Sequence, residues 1–169
     1  MKKTRTIKKI FIKYSLIYVG SVIFTFFISS LYVEKNIIQT MENYNILYSL
    51  LSIILKNTFS FLFLIYGSMN NKYIIYSWLV GNGIILGSLI SKFAHFSYMI
   101  LILPHGIFEM FSYIYLCTII SSWKNNNGNK ISVFFQENKK KLIYLYILLI
   151  LAATIEVLIT PTLAVRFLL

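Results

Sequence analysis

The chain has 169 residues, 58% of them hydrophobic and 17% aromatic, with a mean hydropathy of +0.74, a composition that excludes an ordinary water-soluble domain. Sixteen basic residues against five acids give a formal charge of +11. The lysines flank apolar runs and form no stripe with interleaved aromatics, a pattern of membrane orientation and not of nucleic-acid binding.

Lys2, Lys3, Arg5, Lys8, Lys9 and Lys13 precede a charge-free run over 14–33. A secretory signal has an apolar core of about 7–15 residues and a small-residue cleavage site. This run is longer and has no A-x-A pattern, so it is expected to be an uncleaved first span entering from the cytoplasm. The second span is placed over 46–69, interrupted near its middle by Lys56-Asn57 and closed by the Asn70-Asn71-Lys72 turn. The third covers 73–91 and carries Gly81-Asn82-Gly83 and then Gly87. Gly83 and Gly87 make a G-x-x-x-G, through which a second backbone can approach, either inside the bundle or from another subunit; a homo-oligomer therefore stays open.

The fourth span covers 96–122, and a basic loop over 123–141, with the polar run Asn125-Asn126-Asn127-Gly128-Asn129, leads to the fifth at 142–162. Since crossing the hydrocarbon takes roughly 20 apolar residues, the spans use most of the chain, and 1–169 reads as a single membrane domain. The fold class expected is all-α, a polytopic transmembrane helix bundle of about five spans with its N-terminus in the cytoplasm. The 34–45 loop and the Lys92–His95 turn then lie outside, and most of the positive charge inside. Tyr14, Tyr32, Tyr73, Trp123 and Tyr144 fall near span ends, where amphipathic rings prefer the headgroup region.

Ionisable groups inside apolar runs mark either a polar seam or a working site. His105 and Glu109 stand four residues apart and share one helix face, which Gly106, Ser112 and Tyr113 continue, while Pro104 favours a kink. Glu156 interrupts the last span, on a face with Ala152, Ala153 and Thr160. Counting the helical rise from the outer ends places His105 and Glu156 roughly 10 Å below the surface, with Glu109 about one turn deeper. Lys56, Asn57, Asn82 and Thr160 are the supporting polar positions, and an ion pair from Lys56 to Glu109 or Glu156 is expected.

Two readings of this seam compete. In one, His105, Glu109 and Glu156 form a buried network that fixes helix register. In the other they work: as a proton, ion or peptide contact, or as catalytic residues in which the two acids hold a metal or act as base and acid, with His105 as ligand or proton shuttle. One His and two carboxylates match the ligand count of a catalytic zinc site with a free fourth position, although H-x-x-x-E is not the metalloprotease spacing H-E-x-x-H. Cys117 is the only cysteine, which removes intrachain disulfides and thiolate cages. No P-loop or dinucleotide fingerprint occurs, so apart from zinc no cofactor is expected.

Asn82-Gly83 with Leu86-Gly87 in one span, Pro104-His105-Gly106 with Glu109 in the next, and Ile155-Glu156 with Ile159-Thr160-Pro161 in the last together resemble the stage II sporulation protein M family. The resemblance covers roughly residues 55–161, with the first span only loosely comparable, and the family's polar positions carry over to Asn57, Asn82, His105, Glu109 and Glu156. It implies a multi-pass protein of the bacterial cytoplasmic membrane. Founding members act as membrane scaffolds for cell-wall hydrolases during engulfment of the forespore, and short members are encoded with circular bacteriocins, where they are associated with maturation, export or self-protection. The expected partners are the lipid bilayer, other membrane proteins or a hydrophobic peptide, with an ATP-binding cassette transporter in the peptide branch. The function expected is that of a non-enzymatic component of such an assembly; an intramembrane metal-dependent hydrolase or peptide-ligating enzyme and a proton- or ion-coupled transporter subunit are the alternatives.

Overall fold

The computed structural model describes residues 2–32, 45–92, 99–127 and 130–168, with side chains described over 6–31, 45–92, 102–125 and 130–162. Residues 34–44 of the first connection and His95 lie outside them. The described residues form five helices, α1 (Lys2–Tyr32), α2 (Ile46–Asn70), α3 (Tyr73–Ser91), α4 (Met99–Asn127) and α5 (Ile131–Leu168), and no strand occurs among them. All five are long and apolar enough to cross a membrane. The chain is an all-α, multi-pass membrane protein.

Polar residues set the helix ends where the sequence places them. The Asn45 side chain accepts from Tyr48 N at 3.1 Å and starts α2; Asn71 Oδ1 accepts from Tyr73 N at 3.0 Å and starts α3. Such caps satisfy amides that have no intrahelical partner. At the far end of α2 the Lys124 ammonium, from the last turn of α4, donates to the carbonyls of Ser68 and Met69 at 3.0 and 2.8 Å. A cation on carbonyls at a helix C-terminus is favoured by the helix dipole.

The fifth helix departs from the sequence reading. Residues 123–127 belong to α4, and α5 begins at Ile131, so most of the expected 123–141 loop is helical. Lys, Gln and Glu are good helix formers, and this segment has packing to hold it. The Trp123 indole donates to Glu137 Oε2 at 3.0 Å, the Trp123 and Phe134 rings meet edge-on at 5.4 Å, and Phe134 is fully buried. At its other end α5 continues through Pro161 to Leu168.

Side-chain contacts give the directions. α1 and α3 run parallel: Lys13 reaches Tyr76, and further along Gly83 and then Gly87 lie against residues 18–26 of α1. α5 is antiparallel to α4, through Trp123 with Glu137 and His105 with Thr160, and to α2, through Thr58 with Tyr146 and Tyr66 with Phe135. The G-x-x-x-G of α3 is used inside the bundle. A Cβ on Gly83 would meet the Ser21 hydroxyl and sit 3.0 Å from the Tyr18 carbonyl oxygen; one on Gly87 would meet the Val22 carbonyl and lie 3.1 Å from Phe26 N.

Packing density differs between the two ends. The core is built from Leu64, Ile65 and Met69 of α2, Tyr113 to Ile120 of α4, and Phe134, Leu145 and Leu149 of α5, all toward the α4–α5 turn. Toward the other end, residues 19–31 of α1, 46–56 of α2 and 102–111 of α4 contain no buried side chain. Burial in α1, α2 and α4 is thus concentrated toward the α4–α5 turn, while α3 and α5 stay packed at the other end through Gly83, Gly87 and Ser91 and through Ala152, Ala153 and Val157.

Alanine is the better helix former than glycine by about 1 kcal/mol. Gly81→Ala, with nothing within 4 Å of the new methyl, is therefore expected to hold or raise the melting temperature in detergent. Gly87→Ala is expected to lower it, because overpacking against the α1 backbone costs about 1–3 kcal/mol.

Candidate functional site

Helix α4 carries His105 and Glu109 one turn apart, both half-buried, in the stretch that has no fully buried residue. α5 runs alongside in the opposite direction and brings Thr160 Oγ1 to 3.4 Å from His105 Nδ1. This contact sets the register. Four residues along each helix from that pair, Glu109 and Glu156 arrive at one level, and the two carboxyls interact electrostatically. The depth count from sequence placed Glu156 level with His105; the structure puts it one turn further in, opposite Glu109, because α5 extends well past Pro161.

The surrounding charges and hydroxyls come from α1 and α2 and from α4 itself. Lys56 of α2 is the cation that acts on Glu156. Glu109 acts electrostatically on Tyr18 of α1 and on Tyr113, one turn along its own helix. Tyr113 is 2% exposed and donates to the Asn57 carbonyl at 3.1 Å and to Asn57 Oδ1 at 3.4 Å, while its ring lies 4.3 Å from that of Trp78. It ties α2, α3 and α4 together directly beneath the carboxylates. Asn57 thus joins the seam, whereas the Asn82 amide donates to Trp78 O at 2.9 Å within its own helix.

Among the described residues no group of three or more His, Cys, Asp or Glu is placed to hold a metal ion. His105, Glu109 and Glu156 stand along a seam instead of around a point. Two carboxylates on facing helices have spare acceptor capacity. What complements them is a group that donates hydrogen bonds or carries positive charge.

Several residues that shape this region were not singled out as linking residues from sequence. Tyr113 was read as continuing the His105 face, but its bond to Asn57 depends on which helix α4 meets. Lys124 was read as loop charge and serves as the α2 cap. Tyr14 bonds Ser121 at 2.6 Å, and Thr58 bonds Tyr146 at 2.8 Å, each closing a helix pair.

A family model described as Stage II sporulation protein M matches residues 11–161. The chain belongs to that family. The match takes in α1, beyond the segment in which the motifs of this stage II sporulation protein M family member lie, and α1 packs on the same α3 glycines that carry one of those motifs. No curated protein and no solved structure matches the chain.

Tyr113→Phe removes one hydroxyl and leaves the ring contact with Trp78. It is expected to cost about 1 kcal/mol of stability, read as a lowered unfolding midpoint in detergent. A variant equal to the parent would show that the link to Asn57 carries no weight.

Proposed function

We propose that the protein is a non-enzymatic component of a membrane assembly and holds a membrane-embedded partner at the Glu109/Glu156 seam. The partner is a hydrophobic, circular bacteriocin-like peptide undergoing maturation, export or immunity, or else a wall-remodelling protein in sporulation. The observation that carries this reading is the place of the seam: Glu109 and Glu156 are only half-buried and lie at the edge of the buried core, with residues 102–111 of α4 burying no side chain, so a partner helix or peptide meets acceptors without dismantling the core. Family membership supports the scaffold role. The segments between helices are short in sequence, about a dozen residues at most, which leaves docking mainly to the bilayer.

Exchange of carboxylate for amide separates the readings. Glu109→Gln and Glu156→Gln, expressed in cells, are expected to keep normal membrane abundance and lose co-purification of the partner by about tenfold, the effect of removing roughly 1.4 kcal/mol of binding. Retained partner with lost product would instead mark an enzyme, as would bound zinc that disappears in His105→Ala. The facing carboxylates also fit a proton- or ion-coupled transporter subunit. That reading requires pH-dependent flux in vesicles that Glu109→Gln abolishes.

We further propose that the membrane is the bacterial cytoplasmic membrane, with the basic end of the bundle in the cytoplasm. Cys117 is fully buried, so introduced thiols report without background. A membrane-impermeant maleimide is expected to label Lys92→Cys in intact cells and Lys130→Cys only after permeabilisation; the opposite pattern reverses the orientation.

A further inference from the structure

We propose that the basic end of the bundle is a docking surface for net-anionic phospholipid headgroups, a property independent of the seam. Residues 2–13, Lys72, Lys124, Lys130 and Lys139-Lys140-Lys141 hold twelve of the sixteen basic residues, with Glu137 as the one acid among these segments. The four remaining basic residues are balanced by the four remaining acids. The whole formal charge of +11 therefore belongs to these segments.

Folding gathers them at one end. Lys13 Nζ donates to Tyr76 Oη at 2.9 Å, which brings α1 to the first turn of α3, and Lys124 caps the end of α2 just before Lys72. Trp123 joins the start of α5 to the same level through its bond to Glu137. The charge comes from α1, from the α2–α3 turn and from both sides of the α4–α5 turn.

Two of the ammonium groups are held in place. Lys13 lies 5.1 Å from the Tyr76 ring centroid and Lys72 5.3 Å from that of Tyr73, distances at which a ring face attracts a cation. An ammonium has three donors, so Lys13 keeps two beyond its bond to Tyr76. Lys8, Lys9, Lys13, Lys72 and Lys139 to Lys141 are all exposed.

With these helices spanning the bilayer, the surface falls at the headgroup level. Each cluster borders the apolar stretch of a helix, as Lys139 to Lys141 border residues 142–162 within α5, and Tyr73 and Tyr144 stand exposed beside them, as rings do in the headgroup belt. A soluble acidic protein would be served by charge on a projecting domain. Here the charge borders the apolar stretches of the helices, where a net-anionic headgroup meets it without leaving its leaflet.

The test is native mass spectrometry of the purified protein from micelles containing equal amounts of phosphatidylglycerol and phosphatidylcholine. Bound phosphatidylglycerol is expected to exceed phosphatidylcholine by about fivefold or more, and the excess is expected to shrink in high salt. It should approach parity when Lys13, Lys72, Lys139, Lys140 and Lys141 are all changed to Gln, and persist in Lys56→Gln with Lys92→Gln. Equal retention by the parent protein, or an excess indifferent to salt, overturns the proposal. So does an excess that survives the five-lysine variant in monodisperse form. Should that variant aggregate, the salt dependence of the parent decides. Parity for lipid together with salt-sensitive capture of an acidic cytoplasmic protein would assign the surface to that protein instead.

Discussion

Hydrocarbon offers no hydrogen bonds, so every polar group placed in it must be satisfied by the protein itself. Apart from the buried Ser68 hydroxyl, which has no hydrogen-bond partner, the described residues meet this demand in two ways. Most hydroxyls and amides turn back on their own helix: Ser112 donates to Phe108 O, Thr118 to Ile114 O, Asn138 to Phe134 O and Thr154 to Ile150 O. Such groups are neutral in the choice of partner helix. A smaller set reaches across, and here tyrosine does most of the joining, through Tyr14 with Ser121, Tyr113 with Asn57, and Tyr146 with Thr58. A phenol carries its hydroxyl far from the backbone on a rigid apolar body, so it spans an interhelical gap at small entropic cost.

These cross-links and the apolar core occupy the same half of the molecule. Lipid tails compete evenly for apolar side chains, so helix association in a membrane relies on close packing and on polar contacts. The end near the α4–α5 turn has both: Leu116, Cys117 and Ile120 interleave with Leu145 and Leu149, and Lys124 fastens α2. The opposite half is held by the approach of Gly87 to the α1 backbone and by the buried Ala153 and Val157 of α5, and carries a long His105–Thr160 contact and a pair of acids. The two acids therefore sit at the edge of the buried core, half-buried and beside Lys56 of α2.

The spans were legible because hydrocarbon thickness imposes a length, and Asn45 and Asn71 stand at the ends they cap. The seam was legible as a face, since His105 and Glu109 are one turn apart and ionisable. Partner choice was not. Helical periodicity tells which side of α3 carries Gly83 and Gly87 but not that α1 will fill it, and the level of Glu156 depended on how far α5 continues beyond Pro161. The segment 123–141 was misjudged because its lysines and asparagines look like solvent-exposed loop, while the decisive residues, Trp123, Phe134 and Glu137, act only once two helices are side by side.

The meeting of α1 with α3 has a bearing on how the protein is made. Helices leave the ribosome in chain order, and α1 packs chiefly on α3 and α4, not on its immediate successor. Until Gly87 has been synthesised, the first helix has no native neighbour and must wait in lipid as a solitary span. The exposed Leu16, Phe24, Phe27 and Leu31 suit it to that interval, since they make a lone helix at home among acyl chains. Assembly then begins when the third helix, with its two bare glycines, comes to rest beside a first one already in place.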